Sequence, residues 1–235
     1  KRPVLEAMLQ SGDANQAMSI LILDHHKTAA ADLASLKFPE ENYDPATWRR
    51  KWESWCEWPV RAIFDMERSG AQIAWDYFFE GEERPQFIDF IGDRDLWKFQ
   101  YGDITRRFSA ALRTYPMTFE AWDHIADDPE SLVHEGAGIL RAHNANITKF
   151  VADAYFDEVG GHKVPVVNVP YHYASDTAHA LLSKFPDAPF TACWFRRGDG
   201  KVQWSLRSED SRQDVSEIAK QMGGGGHRNA AGFQL

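Results

Sequence analysis

Two short stretches of this chain gather the residue types that do chemistry. The first is "LDHH" at 23–26, which sets His25 and His26 directly after Asp24. Imidazole nitrogens suit divalent transition metals, and a neighbouring carboxylate can orient them. Adjacent residues on irregular backbone point in different directions, so one histidine can hold a metal while the other reaches toward a substrate. The second stretch is "GGGGHRNAAG" at 223–232. Consecutive glycines let backbone N–H groups approach an anion and form a concave nest. His227 at the rim of such a nest suits phosphate or carboxylate recognition. A helix C-cap needs one glycine. Four of them, followed by His227 and the small residues Ala230, Ala231 and Gly232, imply tight approach of backbone.

Both stretches need elements to position them. "SILIL" at 19–23 reads as a strand buried on both faces, as in a parallel sheet, and it stops at Asp24. Ligands of open α/β sheets bind beyond the carboxyl ends of the strands, which is where His25 and His26 fall. Pro3 opens a short helix, and 37–60 reads as an insertion. There, a helix from Pro45 carries Trp48, Trp52 and Trp55 on one face. Core or interface packing is the first use of such a stripe, and base stacking the second. Helices are expected at 68–79 and 85–91, then a polar break at "GDRDLW" with Asp93 and Asp95.

A long helix is expected from Ser131 to about Phe156, and "EVGGHKVP" at 158–165 as a boundary. Short strands follow, and "RRGDG" joins two of them as a hairpin. In the second of that pair Arg207 falls on the polar face. Asp214 caps a last helix, with Glu217 completing a capping box, and Val215, Ile218, Ala219 and Met222 line its inner side. That helix runs into the glycines. The fold class is α/β, divided as 1–130, a connecting helix and linker at 131–160, and a smaller α/β domain at 161–235.

Composition narrows the function. Of 235 residues 43% are apolar, enough for a real core, and no run reaches the roughly 18–20 apolar residues of a membrane span. The net charge of −9 argues against clamping long nucleic acid by counterion release. It leaves room for a small phosphorylated substrate, because metal ions and a few arginines supply positive field locally. Cys56 and Cys193 lack metal-ligand spacing and read as free thiols of a reducing, cytoplasmic compartment.

Taken together, "LDHH", "SLRS" at 205–208, "DVSEIAKQM" and "GGGHRNAAG" resemble the DHH phosphoesterase family with its C-terminal DHH-associated domain. Within that family the sequence is similar to nano-RNases or oligoribonucleases, relatives of the RecJ exonucleases. The resemblance implies a parallel-sheet DHH domain joined by a long helix to a substrate-binding domain. It implies a manganese-dependent phosphodiesterase or exonuclease, with two Mn2+ ions, acting on short RNA or DNA oligonucleotides or dinucleotides. His25 would be a manganese ligand, His26 would lie by the scissile phosphate, and Asp24 would support both. Asp93, with Asp95 as fallback, would complete one metal's shell. Arg207, Ser208, His227 and Gly224, Gly225 and Gly226 would hold the substrate's terminal phosphate or backbone.

One part of the family pattern is missing. An Asp-x-Asp pair and a bridging aspartate belong upstream of the DHH strand, and only Glu6 and Asp13 stand there. The sequence therefore reads as a member without its first sixty or so residues, roughly one βαβ unit. Little hydrolysis is expected of these 235 residues alone. A nucleotide-binding module without turnover is the alternative. A third reading makes the tryptophan stripe a partner or homodimer surface. Arg106 and Arg107 are further candidates to face phosphate.

Overall fold

The computed structural model describes residues 20–33 and 60–235. The expected N-terminal helix, Glu6, Asp13 and the Trp48, Trp52 and Trp55 stripe lie outside the described residues. Two compact units divide between Ile139 and Leu140.

In the first unit, β1 (Ile20–Asp24) and β2 (Val60–Phe64) pair in parallel, from Ile20 opposite Val60 to Asp24 opposite Phe64. β1 is half-buried over Ile20 to Leu23, so the sequence overstates its burial. After β1 comes α1 (Lys27–Leu33), whose Leu33 is fully buried against Ile20, Ile22 and Phe64. α2 (Gly70–Phe78) starts at a capping box: Ser69 Oγ accepts from Gln72 N, and Gln72 Oε1 accepts from Ser69 N. α3 (Gln86–Asp95), α4 (Asp103–Leu112), α5 (Phe119–Asp127) and the start of α6 (Pro129–Ala152) close around a second core. Phe90, Phe108, Ala111, Ile125 and Leu132 form it. The expected break at Gly92 does not occur, because α3 runs through Asp95.

The second unit is a six-stranded mixed sheet in the order β3-β4-β5-β6-β8-β7. Its strands are β3 (Tyr155–Val159), β4 (His162–Asn168), β5 (Thr191–Arg196), β6 (Val202–Arg207), β7 (Gly225–His227) and β8 (Ala230–Gln234). The expected boundary at 158–165 is instead a hairpin. Gly160 and Gly161, at φ 57° and 79°, make the tight turn that lets β3 pair back on β4. The pair β4–β5 is parallel, connected by α7 (Tyr171–Lys184), and the other pairs are antiparallel. The Arg197–Lys201 turn joins β5 to β6 as the sequence predicts.

Side chains alternate across this sheet. Val164, Val166, Ala192, Leu206 and Phe233 face α8 (Val215–Gln221) and its Val215, Ile218 and Ala219. Val167 and Cys193 face Ala174, Ala178 and Leu181 of α7 and Phe150 and Val151 of α6. Helices thus cover both faces. Among the described residues no helix is long and apolar enough to cross a membrane.

Candidate functional site

The first unit places its candidate chemistry where β1 ends. Asp24, 7% exposed, turns its Oδ1 back to accept from His25 N at 2.8 Å, His26 N at 3.2 Å and His26 Nδ1 at 2.7 Å. Its carbonyl accepts Asp65 N–H at 3.2 Å, so the tips of β1 and β2 stay together past the last paired residues. α1 then begins as Ala30 N donates to His26 O at 3.0 Å. One carboxylate therefore shapes the whole turn between strand and helix. Accepting from Nδ1–H, it sets the tautomer and aim of His26. The side chain of His26 is 45% exposed, while His25 is buried.

His25 Nε2 stands 3.5 Å from Asp95 Oδ2. A nitrogen and a carboxylate oxygen at that separation can share a divalent ion with bonds of about 2.0–2.2 Å each. The donor chemistry also suits manganese or zinc. These residues therefore fit the metal that the resemblance implies. Asp93, preferred in the sequence reading, is placed otherwise. At 5% exposure its carboxylate accepts from Gln100 N at 2.7 Å, Tyr101 N at 3.3 Å and Thr105 Oγ1 at 2.5 Å. Continuation of α3 past Gly92 turns Asp93 inward and carries Asp95 to the side of His25.

Behind this turn lies a chain of ion pairs that the sequence reading missed. Arg68 binds Asp65 at 2.7 Å and Asp76 at 2.6 Å, and Arg84 binds Asp76 at 2.7 Å and Asp89 at 2.9 Å. Burial pushes the Asp76 carboxyl up, but hydrogen bonds from Arg84 and Arg68 outweigh it and hold the group below its usual range. Asp65 is lowered in the same way, burial being overcome by Arg68 and the Glu67 N–H. Apart from Asp65 and Arg68, three residues apart, the partners stand five to eight residues apart with no spacing rule to link them, so only the fold could reveal the network.

In the second unit Arg207 points to the α7 side of the sheet, the polar side of its strand, as alternation predicts. One guanidinium nitrogen donates to Ser175 Oγ at 2.6 Å and the other to its own neighbour's carbonyl, Leu206 O, at 2.8 Å. Ser175 was not anticipated. Ser208 is buried, with its N–H on Asn229 O at 2.9 Å. His143 meets Asp176 at 2.9 Å.

The glycines have structural duties of their own. Gly223 N donates to Lys220 O at 3.1 Å and Gly224 N to Ala219 O at 2.7 Å, a Schellman closure of α8 with Gly223 at φ 78°. A Cβ on Gly224 would lie 2.1 Å from Gly232 O, and one on Gly226 would lie 2.5 Å from Ala230 O. Gly225 to His227 form edge strand β7 against β8. The tight backbone approach read from the sequence is therefore met within the protein.

Residues 172–235 match the DHHA1 domain family, in keeping with the resemblance in the glycine stretch. Around it the fold is a mixed α/β arrangement with a parallel N-terminal pair and a mixed C-terminal sheet. Over 226 residues the chain is 30% identical to an uncharacterized protein of Acanthamoeba polyphaga mimivirus. That match covers 93% of this chain and 48% of the viral protein, so the chain spans about half the length of the curated relative it matches. Among solved structures it is similar to a pGpG-specific phosphodiesterase of Vibrio cholerae, with 10% identity and a TM-score of 0.43, covering 94% of this chain and 93% of that one. It is also similar to exonuclease RecJ bound to manganese, with 16% identity and a TM-score of 0.42, covering 99% and 68%. Likeness at this level carries no argument about chemistry.

Proposed function

We propose that the chain is the catalytic part of a metal-dependent phosphodiesterase acting on short oligonucleotides or dinucleotides. The observation that carries this reading is the turn at Asp24, where one carboxylate aims the exposed His26 while the buried His25 faces Asp95 at 3.5 Å. His25 and Asp95 would hold a divalent ion; Asp95 replaces Asp93 in this role because the latter's carboxylate is taken up by its own loop. When bound, such an ion supplies positive charge at the phosphoryl oxygens and acidifies water, and manganese is the ion the resemblance favours. His26, oriented through Nδ1, would present Nε2 to the scissile phosphate and, in the doubly protonated form, donate to a phosphoryl or leaving oxygen. Arg207 and His227 would bind a terminal phosphate, with the backbone of Gly224, Gly225 and Gly226 beside them. Ser208, buried and with its N–H already on Asn229 O, would support this group from behind rather than touch the phosphate.

The test is manganese stoichiometry and hydrolysis of a short 5′-labelled RNA, on this chain and on His26→Ala. Turnover that falls at least about a hundredfold in the variant supports the reading. No turnover, with RNA still bound, leaves the alternative of a nucleotide-binding module.

A further inference from the structure

The loop that leaves α3 directly after Asp95 is unusual in three ways. Trp97 and Phe99 both take left-handed backbone, at φ 58° and 49°, a conformation costly for bulky side chains and concentrated at functional loops. The loop is held there rather than loose: Asp93 O accepts from Lys98 N at 3.0 Å and the Asp93 carboxylate from Gln100 N at 2.7 Å. The strained rings also gather cations. The guanidinium carbon of Arg94 lies 4.2 Å from the Trp97 ring centre and 5.4 Å from that of Phe99. That of Arg106, from α4, lies 3.8 Å from the Phe99 centre.

Arg106 is the informative member. It is exposed and makes no hydrogen bond or ion pair among the described residues, whereas its neighbour Arg107 is tied to Asp103. Stacking on Phe99 fixes the side chain yet satisfies none of its N–H donors. A guanidinium held against a ring keeps those donors at the rim, in the fork that matches a phosphate bidentately. In a chain of net charge −9, an arginine so placed has little use in general attraction. It suits one local anion.

We infer that Arg106, aligned by Phe99 and assisted by Arg94, is a phosphate subsite of the first unit, taking a phosphoryl group of the substrate other than the one cleaved. The assignment rests on the phosphodiesterase reading for the identity of the substrate. Its chemistry is that of a phosphate oxyanion, which a short oligonucleotide or an inorganic polyphosphate could present.

Binding, not turnover, tests it. Affinity of the full chain for a labelled RNA trinucleotide, and competition by tripolyphosphate, would be measured in EDTA across a salt series, for the parent chain, Arg106→Gln and Arg106→Lys. Arg106→Gln should weaken RNA binding about ten- to hundredfold, the value of a hydrogen bond to a charged group. The salt slope should also fall by about 0.7, one phosphate contact on a single strand. Arg106→Lys should keep the slope and lose part of the affinity. Competition by tripolyphosphate that is equally sensitive to Arg106→Gln identifies the site as one for phosphate in general; insensitive competition assigns it to the oligonucleotide. Unchanged RNA affinity and slope in Arg106→Gln would overturn the subsite and leave the phosphodiesterase reading standing. No RNA binding by the parent chain would overturn both.

Discussion

The turn at Asp24–His26 and the glycine run at 223–226 hold their backbones by opposite means. At the turn a side chain does the holding, since Asp24 Oδ1 collects two backbone N–H groups and one ring nitrogen. In the glycine run the absence of side chains does it, letting β7 close on β8 and α8 end in a Schellman motif. Both stretches look like ligand sites in the sequence. The difference teaches that polar motif residues answer to chemistry more directly than glycines do, because a glycine can be demanded by the protein's own packing.

Alanine at Gly224 is the largest break that can be made in this contrast. Its Cβ would meet Gly232 O at 2.1 Å and Phe233 Cβ at 2.7 Å, neither able to yield without moving the sheet. The expected loss in urea unfolding is about 3 kcal/mol. Gly223→Asn, at the helix cap with open space around it, should cost less than about 1 kcal/mol. If Gly224→Ala instead keeps full stability and loses only phosphate affinity, the glycines serve the ligand after all.

The two aspartates of α3 sharpen the same distinction within a few residues. Asp93→Ala should lose about 2–3 kcal/mol, since three donors are left without their charged acceptor. Asp95→Asn, half-exposed, should unfold like the parent and bind manganese about 10–100-fold more weakly. Urea unfolding and metal titration of both variants would check this. Reversal of the two results would return Asp93 to the metal.

Much of this was legible in the sequence, though not to the residue. The apolar run at 19–23, the cap at Asp214 and the alternation through Arg207 predicted their elements, because each depends on neighbours along the chain. Asp93 ranks above Asp95 in sequence because an aromatic, Trp97, follows it four residues on, a cue that cannot tell which carboxylate α3 turns inward once burial of Phe90 against Phe108 keeps that helix intact. Gly160 and Gly161 read in sequence as a boundary, since a hairpin turn and a domain boundary share the same composition. The Arg68–Asp76–Arg84–Asp89 chain and the Arg106–Phe99 stack join separate elements and have no sequence signature.

That ion-pair chain makes the first site acid-sensitive. Arginine partners hold Asp65 and Asp76 below their ordinary value of 3.8 despite burial. A carboxyl whose folded pKa is depressed adds stability that is complete above the unfolded value and lost as pH falls through the folded one. The protection of α2 amides, taken relative to their intrinsic exchange rates, should therefore fall below about pH 4, and Asp76→Asn should remove much of that acid response. β7, held by backbone bonds to β8, should respond less over the same range. Equal loss of protection in both regions would deny the contrast between charge-held and packing-held sites.

The smallest expected effect concerns the sheet face that carries Arg207. Cys193 lies on that face beneath α7, fully buried, and burial pushes its thiol up to about 12, the charge of Arg207 offsetting only part of the rise. A thiol so raised has almost no thiolate at pH 8 and no route to a reagent. Iodoacetamide should leave Cys193 unmodified in the native protein and label it fully in denaturant, as read from the peptide containing it. Ready labelling under native conditions would mean that α7 lifts from the sheet. The Arg207–Ser175 contact would then be an intermittent one, and the second unit would hold its candidate phosphate ligand less firmly than Asp24 holds His26.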